Sequence, residues 1–172
     1  MTSDSASGTF EVRAVRPAEY AGLGELTVGS YEAGGFLIGG LEDGYVPHLR
    51  DVAHRAASAT VLVAVDGDRV LGGVTIAFPG SPLMELGGDG DAEIRMLAVD
   101  PAAGGRGVGS ALAAACVERA RAEPGTKRIV LCSQQTMTTA HRIYRRLGFE
   151  REPSLDWEPV PGVLLWAFSL SL

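Results

Sequence analysis

Lysine is nearly missing from this chain: Lys127 is its one lysine in 172 residues. A phosphate loop of the G-x-x-x-x-G-K-[ST] type needs a lysine directly after its glycines, so that nucleotide-binding device is excluded. Cysteine is scarce too. Cys116 and Cys132 stand alone in apolar stretches with no paired spacing, which excludes a disulfide framework and fits small buried hydrophobes in a reducing compartment. His48, His54 and His141 include no pair at i, i+4 and no adjoining cysteine, so no metal site is expected. Long apolar runs are absent as well: the longest, ATVLVAV, is strand-sized against the roughly 18 residues of a membrane span. The opening MTSDSASGT is polar and lacks the apolar centre of a secretory signal, and residues 1–9 are expected to form a disordered leader. These absences predict a soluble, cytoplasmic protein with no membrane partner.

What is present suits one globular domain over residues 10–172, since a hydrophobic content of 46% leaves ample apolar surface for a core. Charge is unevenly spread. Residues 1–94 hold five arginines against fourteen acids, residues 95–151 hold ten basic residues against four acids, and residues 152–172 add three acids. The middle of the chain is thus suited to an anion and the first half to a cation. A pI near 5.0 argues against nucleic acid as partner.

FEVRAV (10–15) has the pattern of a strand. Pro17 sits where a helix start tolerates proline, and AEYAGLGELTVGSY continues as a helix. Residues 31–44, broken by glycines, are expected to be a loop. Leu49, Val52, Ala53 and Ala56 then fall on one face of a single helix. ATVLVAV and VLGGVTIAF flank Asp-Gly, a hairpin signal. After a loop from Pro79 to Asp91 come a strand (92–99), a glycine segment, a helix (110–123), a strand (128–133) and a helix whose apolar stripe is Ala140, Ile143, Tyr144 and Leu147. Proline-broken chain then ends in the strand VLLWAFSLSL. The order β, α, α, β, β, β, α, β, α, β, β predicts an α/β fold with a mixed sheet.

The segment VDPAAGGRGVGSAL (99–112) places bare backbone between a strand and a helix, an arrangement that lets amides approach an anion at a helix N-terminus. A dinucleotide fingerprint is a poor match: counting from Gly105, the third glycine is replaced by Ser110, and the strand at 128–133 runs into Ser133-Gln134 with no ribose-binding acid. A phosphate site and a mere packing turn both remain open on these residues alone. Tyr144, in an apolar stripe, is a core residue by periodicity.

The stretch AEIRMLAVDPAAGGRGVGSALAAACVERA, followed by a strand and AHRIYRRLGF, resembles the GCN5-related N-acetyltransferases, the GNAT family. The resemblance implies a sheet with a splayed strand, the pantetheine arm of acetyl-CoA in the gap, and a pyrophosphate-binding turn of the form [Q/R]-x-x-G-x-[G/A]. Here the matching residues are Gly104, Gly105, Arg106, Gly107, Val108 and Gly109, followed by Ser110. It further implies Leu97, Ala98 and Val99 along the pantetheine with an oxyanion-stabilising amide among them, Glu93 as general base and Tyr144 as the acid that protonates the CoA thiolate. Two positions depart from the pattern. Gly104 replaces an arginine or glutamine, for which Arg106 could compensate, and Met137 replaces an asparagine, for which Gln134, Gln135 or Thr138 could substitute.

The phosphates of CoA would then meet the basic middle of the chain. The acceptor, an amine suited to the acidic half when cationic, would enter among Tyr31, Glu32, Phe36, Asp43 and Tyr45 and the 79–91 loop with Glu85, Asp89 and Asp91. The implied activity is transfer of acetyl from acetyl-CoA to a primary amine of a small molecule or peptide by direct attack, without metal. The rivals are a GNAT-like module that binds acyl-CoA without turnover and a nucleotide-dependent oxidoreductase. A monomer or homodimer is expected, VLLWAFSLSL covering either a core or an interface.

Overall fold

The computed structural model describes residues 9–172; most of the expected leader lies outside the described residues. The strands are β1 (Glu11–Ala14), β2 (Thr60–Asp66), β3 (Arg69–Ala77), β4 (Asp91–Val99), β5 (Arg128–Gln134), β6 (Glu150–Arg151), β7 (Trp157–Val160) and β8 (Val163–Ser171). The helices are α1 (Tyr20–Ala33), α2 (Val46–Arg50), α3 (Val52–Ser58), α4 (Val108–Ala122) and α5 (Thr138–Arg146). All strands join one sheet in the order β1-β2-β3-β4-β5-β8-β6, with β7 also paired to β8. Only β4 and β5 run parallel. The mixed α/β expectation thus holds.

Two apolar layers cover the sheet. One face packs Leu112, Cys116 and Ala120 of α4 and Tyr144 of α5 against Leu71, Ile94, Ile129 and Phe168. The other packs Leu23 of α1 and Val52 of α3 against Val61, Val63 and Val65, with Val28, Leu49 and Met96 in an adjoining cluster. The helix expected through Leu49 and Ala56 is two helices. Asp51, at φ −84 and ψ 70, leaves helical geometry, and its carboxylate accepts a hydrogen bond from the His54 amide (3.0 Å) to start α3 afresh. This break changes which side faces inward: Arg55 is buried and Ala53 is exposed.

Strand β4 carries the feature that opens the site. Its register with β3 runs Thr75↔Arg95 and then Gly73↔Ala98, so Met96 and Leu97 together oppose Val74 alone. Met96 takes up the extra residue with φ +54, a left-handed conformation unusual for this side chain. Ile94 consequently packs into the α4 layer while Met96, two residues on, packs into the α1 and α2 layer. An unbulged strand would put both on one face.

Pairing of β4 with β5 is limited to Asp91↔Arg128 through Ile94↔Leu131. β8 pairs with β5 from Arg128 through Gln134. Beyond Ile94 the two parallel strands part. At their near end Asp91 receives Arg128 through Nε (2.9 Å) and Nη2 (2.8 Å), and Gly90 O accepts the amides of Lys127 and Arg128.

The Arg128 guanidinium holds the Asp91 carboxyl below the usual carboxylate range, against the upward pull of burial. Such a group contributes stability above its unfolded pKa that is lost as pH falls through its folded value. Urea unfolding should therefore show stability falling below about pH 4, with a shallower fall over that window in Asp91→Asn. A second test concerns α1 and α2, which touch where Gly24 meets the backbone of Arg50: a Cβ there would run into the Arg50 carbonyl oxygen. Gly24→Ala should destabilise by about 1–3 kcal/mol in urea unfolding, outweighing the helix-propensity gain of about 1 kcal/mol.

Candidate functional site

The glycine turn leads directly from β4 into α4. Gly105 and Gly107 adopt φ of +79 and +78, and Gly107 occupies the N-cap of α4 with no side chain capping it. Only glycine takes that conformation without strain. The first helical hydrogen bond is Ala111 N to Gly107 O, at 3.0 Å. The amides of Val108, Gly109 and Ser110 therefore have no partner among the described residues, nor does that of Gly105. Such amides at a helix start can hold an anion. Gly104 is different, with φ −60 and ψ 148, a conformation open to any residue. Arg106 does not lie loose beside it. Its Nη2 pairs with Asp66 at 3.0 Å, and its guanidinium sits 5.9 Å from the Phe10 ring centroid, fastening the turn to the β2–β3 hairpin. Compensation for Gly104 by Arg106 would compete with Asp66.

Leu97 and Val99 remain partly exposed where β4 leaves β5, and Ala98 is buried. Tyr144 comes from α5 with its ring packed on Phe149 and Phe168, at centroid distances of 5.7 and 6.0 Å. It is 5% exposed, and its hydroxyl makes no hydrogen bond among the described residues. Burial raises its pKa well above the ordinary tyrosine value. Tyr31, on the opposite layer, has its own pKa raised by burial first and also by the charges of Tyr45 and Tyr144. One turn before Tyr144, His141 is buried with Nε2 3.2 Å from Ser133 Oγ and its ring against Trp166 and Phe168, tying α5 to β5 and β8.

On the α1 side the gap opens into a cavity of about 610 Å3, a size typical of small-molecule sites. Its walls include Tyr31, Phe36, Tyr45, Arg55, Arg95, Met96, Cys132, Ser133 and Trp157. Burial pushes the Cys132 thiol up to about 11, partly offset by Trp157. Tyr31 and Phe36 are therefore where the sequence placed them, whereas Glu32 is exposed and outside the lining.

The acids expected to receive a cation are committed elsewhere. Asp43 accepts the amides of Ile38 (2.7 Å) and Tyr45 (2.8 Å), Glu85 pairs with Arg95 (3.1 Å), and Asp91 pairs with Arg128. Asp89 is exposed outside the lining. Asp43 and Glu85 nonetheless line the cavity, together with Asp51. Met137 lines the cavity and accepts a hydrogen bond from Ser133 Oγ through its sulfur. Gln134, one of the substitutes considered for the missing asparagine, donates instead to Phe36 O at 2.9 Å.

Glu93 also differs from the expectation. It is 1% exposed and outside the cavity lining. Its Oε2 accepts three amides, from Glu85 (2.8 Å), Leu86 (3.0 Å) and Gly87 (3.2 Å). A carboxylate so placed holds the 79–91 loop, and with it the Glu85–Arg95 pair, against the strand. Sequence reasoning missed Arg55, Arg95 and Trp157: the arginines lacked a recognisable motif, and Trp157 lies in the proline-broken segment. A second, shallower depression between Ala57–Thr60 and Phe78–Pro82 carries no titratable side chain.

Comparison with known proteins agrees with this arrangement. Residues 29–149 match the model of the acetyltransferase (GNAT) family. A mycothiol acetyltransferase from Salinispora arenicola is 40% identical over 73 residues, 42% of this chain and 22% of that protein, so the chain spans about a fifth of the curated relative's length. Among solved structures, a GCN5-related N-acetyltransferase from Kribbella flavida superposes with a TM-score of 0.69 at 27% identity, covering 95% of this chain and 98% of the other. PaiA N-acetyltransferase from Thermoplasma acidophilum, in complex with coenzyme A, has the same fold, with a TM-score of 0.72 at 13% identity over 95% of this chain and 99% of its own. A splayed parallel pair, a glycine turn of unpaired amides and a family match across most of the chain lead to one conclusion: the chain belongs to the acetyltransferase (GNAT) family.

Proposed function

We propose that the chain is an acetyl-CoA-dependent N-acetyltransferase that moves acetyl to a primary amine by direct attack. The observation that carries this reading is the gap between β4 and β5, with unpaired amides at the turn on one side and the aromatic cavity on the other. Acetyl-CoA supplies an activated thioester. The amides of Gly105 and of Val108 to Ser110 would hold its pyrophosphate, and Leu97, Ala98 and Val99 would line its arm. The coenzyme A seen with the Thermoplasma neighbour supports this assignment.

Desolvation in the cavity disfavours an ammonium relative to the free amine, so the acceptor gives up its proton to solvent as it enters. The amine nitrogen then bonds to the thioester carbon. The bulge at Met96 and Leu97 leaves backbone without a regular ladder partner beside the gap, suited to stabilise the negative charge that develops on the carbonyl oxygen. As the carbon–sulfur bond breaks, the Tyr144 hydroxyl gives its proton to the departing sulfur and is reprotonated from solvent. Burial keeps that proton on the tyrosine at neutral pH. Glu93 acts as a positioning residue through the loop it holds.

Calorimetry with acetyl-CoA and a thiol-release assay over a panel of amines test the reading; binding without turnover on any acceptor would instead favour a sensor module. Tyr144→Phe should lower kcat about ten- to a hundred-fold while leaving acetyl-CoA affinity unchanged. Glu93→Gln retains a carbonyl acceptor for the three amides and should keep the low-pH limb of the kcat/KM profile, whose loss would restore Glu93 as the base. Glu93→Ala strands those amides and should cost about 3 kcal/mol or more in urea unfolding.

A further inference from the structure

We propose that the acceptor is an amine that also carries a carboxylate, of the amino-acid class, and that Arg55 binds that carboxylate. This rests on the acyl-transfer reading above. Arg55 lies in the cavity wall and is 3% exposed. Its Nη1 donates to His48 O (2.6 Å) and Leu49 O (3.0 Å), which fixes the guanidinium in place. Its Nε is buried with no acceptor, and its Nη2 makes no hydrogen bond among the described residues. No carboxylate there forms an ion pair with it.

The neighbouring charges do not repair this. Arg95 is the other guanidinium of the wall, and Glu85 already balances it. Asp51, also in the wall, accepts the His54 amide and caps α3. Asp43 is taken up by two amides of its own loop. Asp51 thus acts on Arg55 only through space, and the buried guanidinium has no ion-pair contact where it meets a space walled by Tyr31 and Tyr45 and water screens poorly. A buried cation held rigidly without an ion-pair contact is costly, and a ligand carboxylate relieves that cost by accepting from Nη2, the donor that is neither buried out of reach nor bound to backbone. A carboxylate matches one guanidinium in charge and planarity. A phosphate would call on a second free cation, and Arg95 is not free.

The test compares free L-amino acids with their primary amides, which differ in charge at the carboxyl end. Two readouts are taken on the full chain: thiol release from acetyl-CoA, and fluorescence of Trp157, which lines the cavity. The free acids should exceed their amides at least ten-fold in kcat/KM and in affinity. Arg55→Met should abolish that preference without weakening acetyl-CoA binding, and Arg55→Lys should restore part of it. Equal or better use of the amides, or no response to any amino acid in either readout, overturns the proposal. So does an Arg55→Met variant that weakens acid and amide alike.

The wild-type comparison stands even if the variants fail to fold. Acid-selective fluorescence without thiol release would sink the acyl-transfer reading and keep the carboxylate site. Turnover of amines without acid preference would do the reverse.

Discussion

Strand β5 has two neighbours running in opposite directions and pairs along its full length with only one. β8 pairs with it from Arg128 to Gln134, whereas β4 stops after Ile94. Backbone groups that would complete a parallel ladder therefore face one another across an opening, and unpaired backbone needs a partner. The rest of the site follows from that opening. The Asp91–Arg128 pair holds the strands at the end from which they diverge, and the bulge at Met96 redirects β4 beyond it. The turn that follows delivers its amides at the start of α4.

Each layer of helices contributes a different kind of group. α4 and α5 supply backbone amides at the helix start and one phenol, Tyr144, which is fixed by packing. α1 to α3 supply aromatic walls and a buried guanidinium. The turn and Tyr144 carry the resemblance to the family's motifs, whereas the cavity residues were marked by no motif. Fold membership is accordingly well supported by the comparisons, and the acceptor has to be argued from the charges of the cavity itself.

Much of the fold was legible because its elements announce themselves locally. The stripe through Tyr144 gave α5, Asp66-Gly67 gave the β2–β3 hairpin, and the glycines after Val99 gave the turn between β4 and α4. The cavity was not legible, for a physical reason. Periodicity assumed one straight helix through Leu49 and Ala56, and a single residue, Asp51, preferred to cap a new helix instead. That rotation took Ala53 out and brought Arg55 in, so the most consequential charge in the wall fell on the face expected to be polar. The acids misled for a related reason: a count of charges does not show which are already bound. Asp43 and Glu93 carry formal negative charge, yet both spend it on backbone amides at loop turns.

Gly104 is one of the two positions where the chain leaves the motifs of its family, and its backbone shows that the departure costs the turn nothing. At φ −60 and ψ 148, with the nearest obstacle to a side chain being the Pro101 carbonyl oxygen at 3.4 Å, this position would hold an arginine or a glutamine as readily as glycine. Under the proposed reading, the strength of the grip on the cosubstrate is thereby separated from the folding of the loop. One codon would then set how long the spent carrier stays bound after each turnover, with the fold and the cavity left as they are.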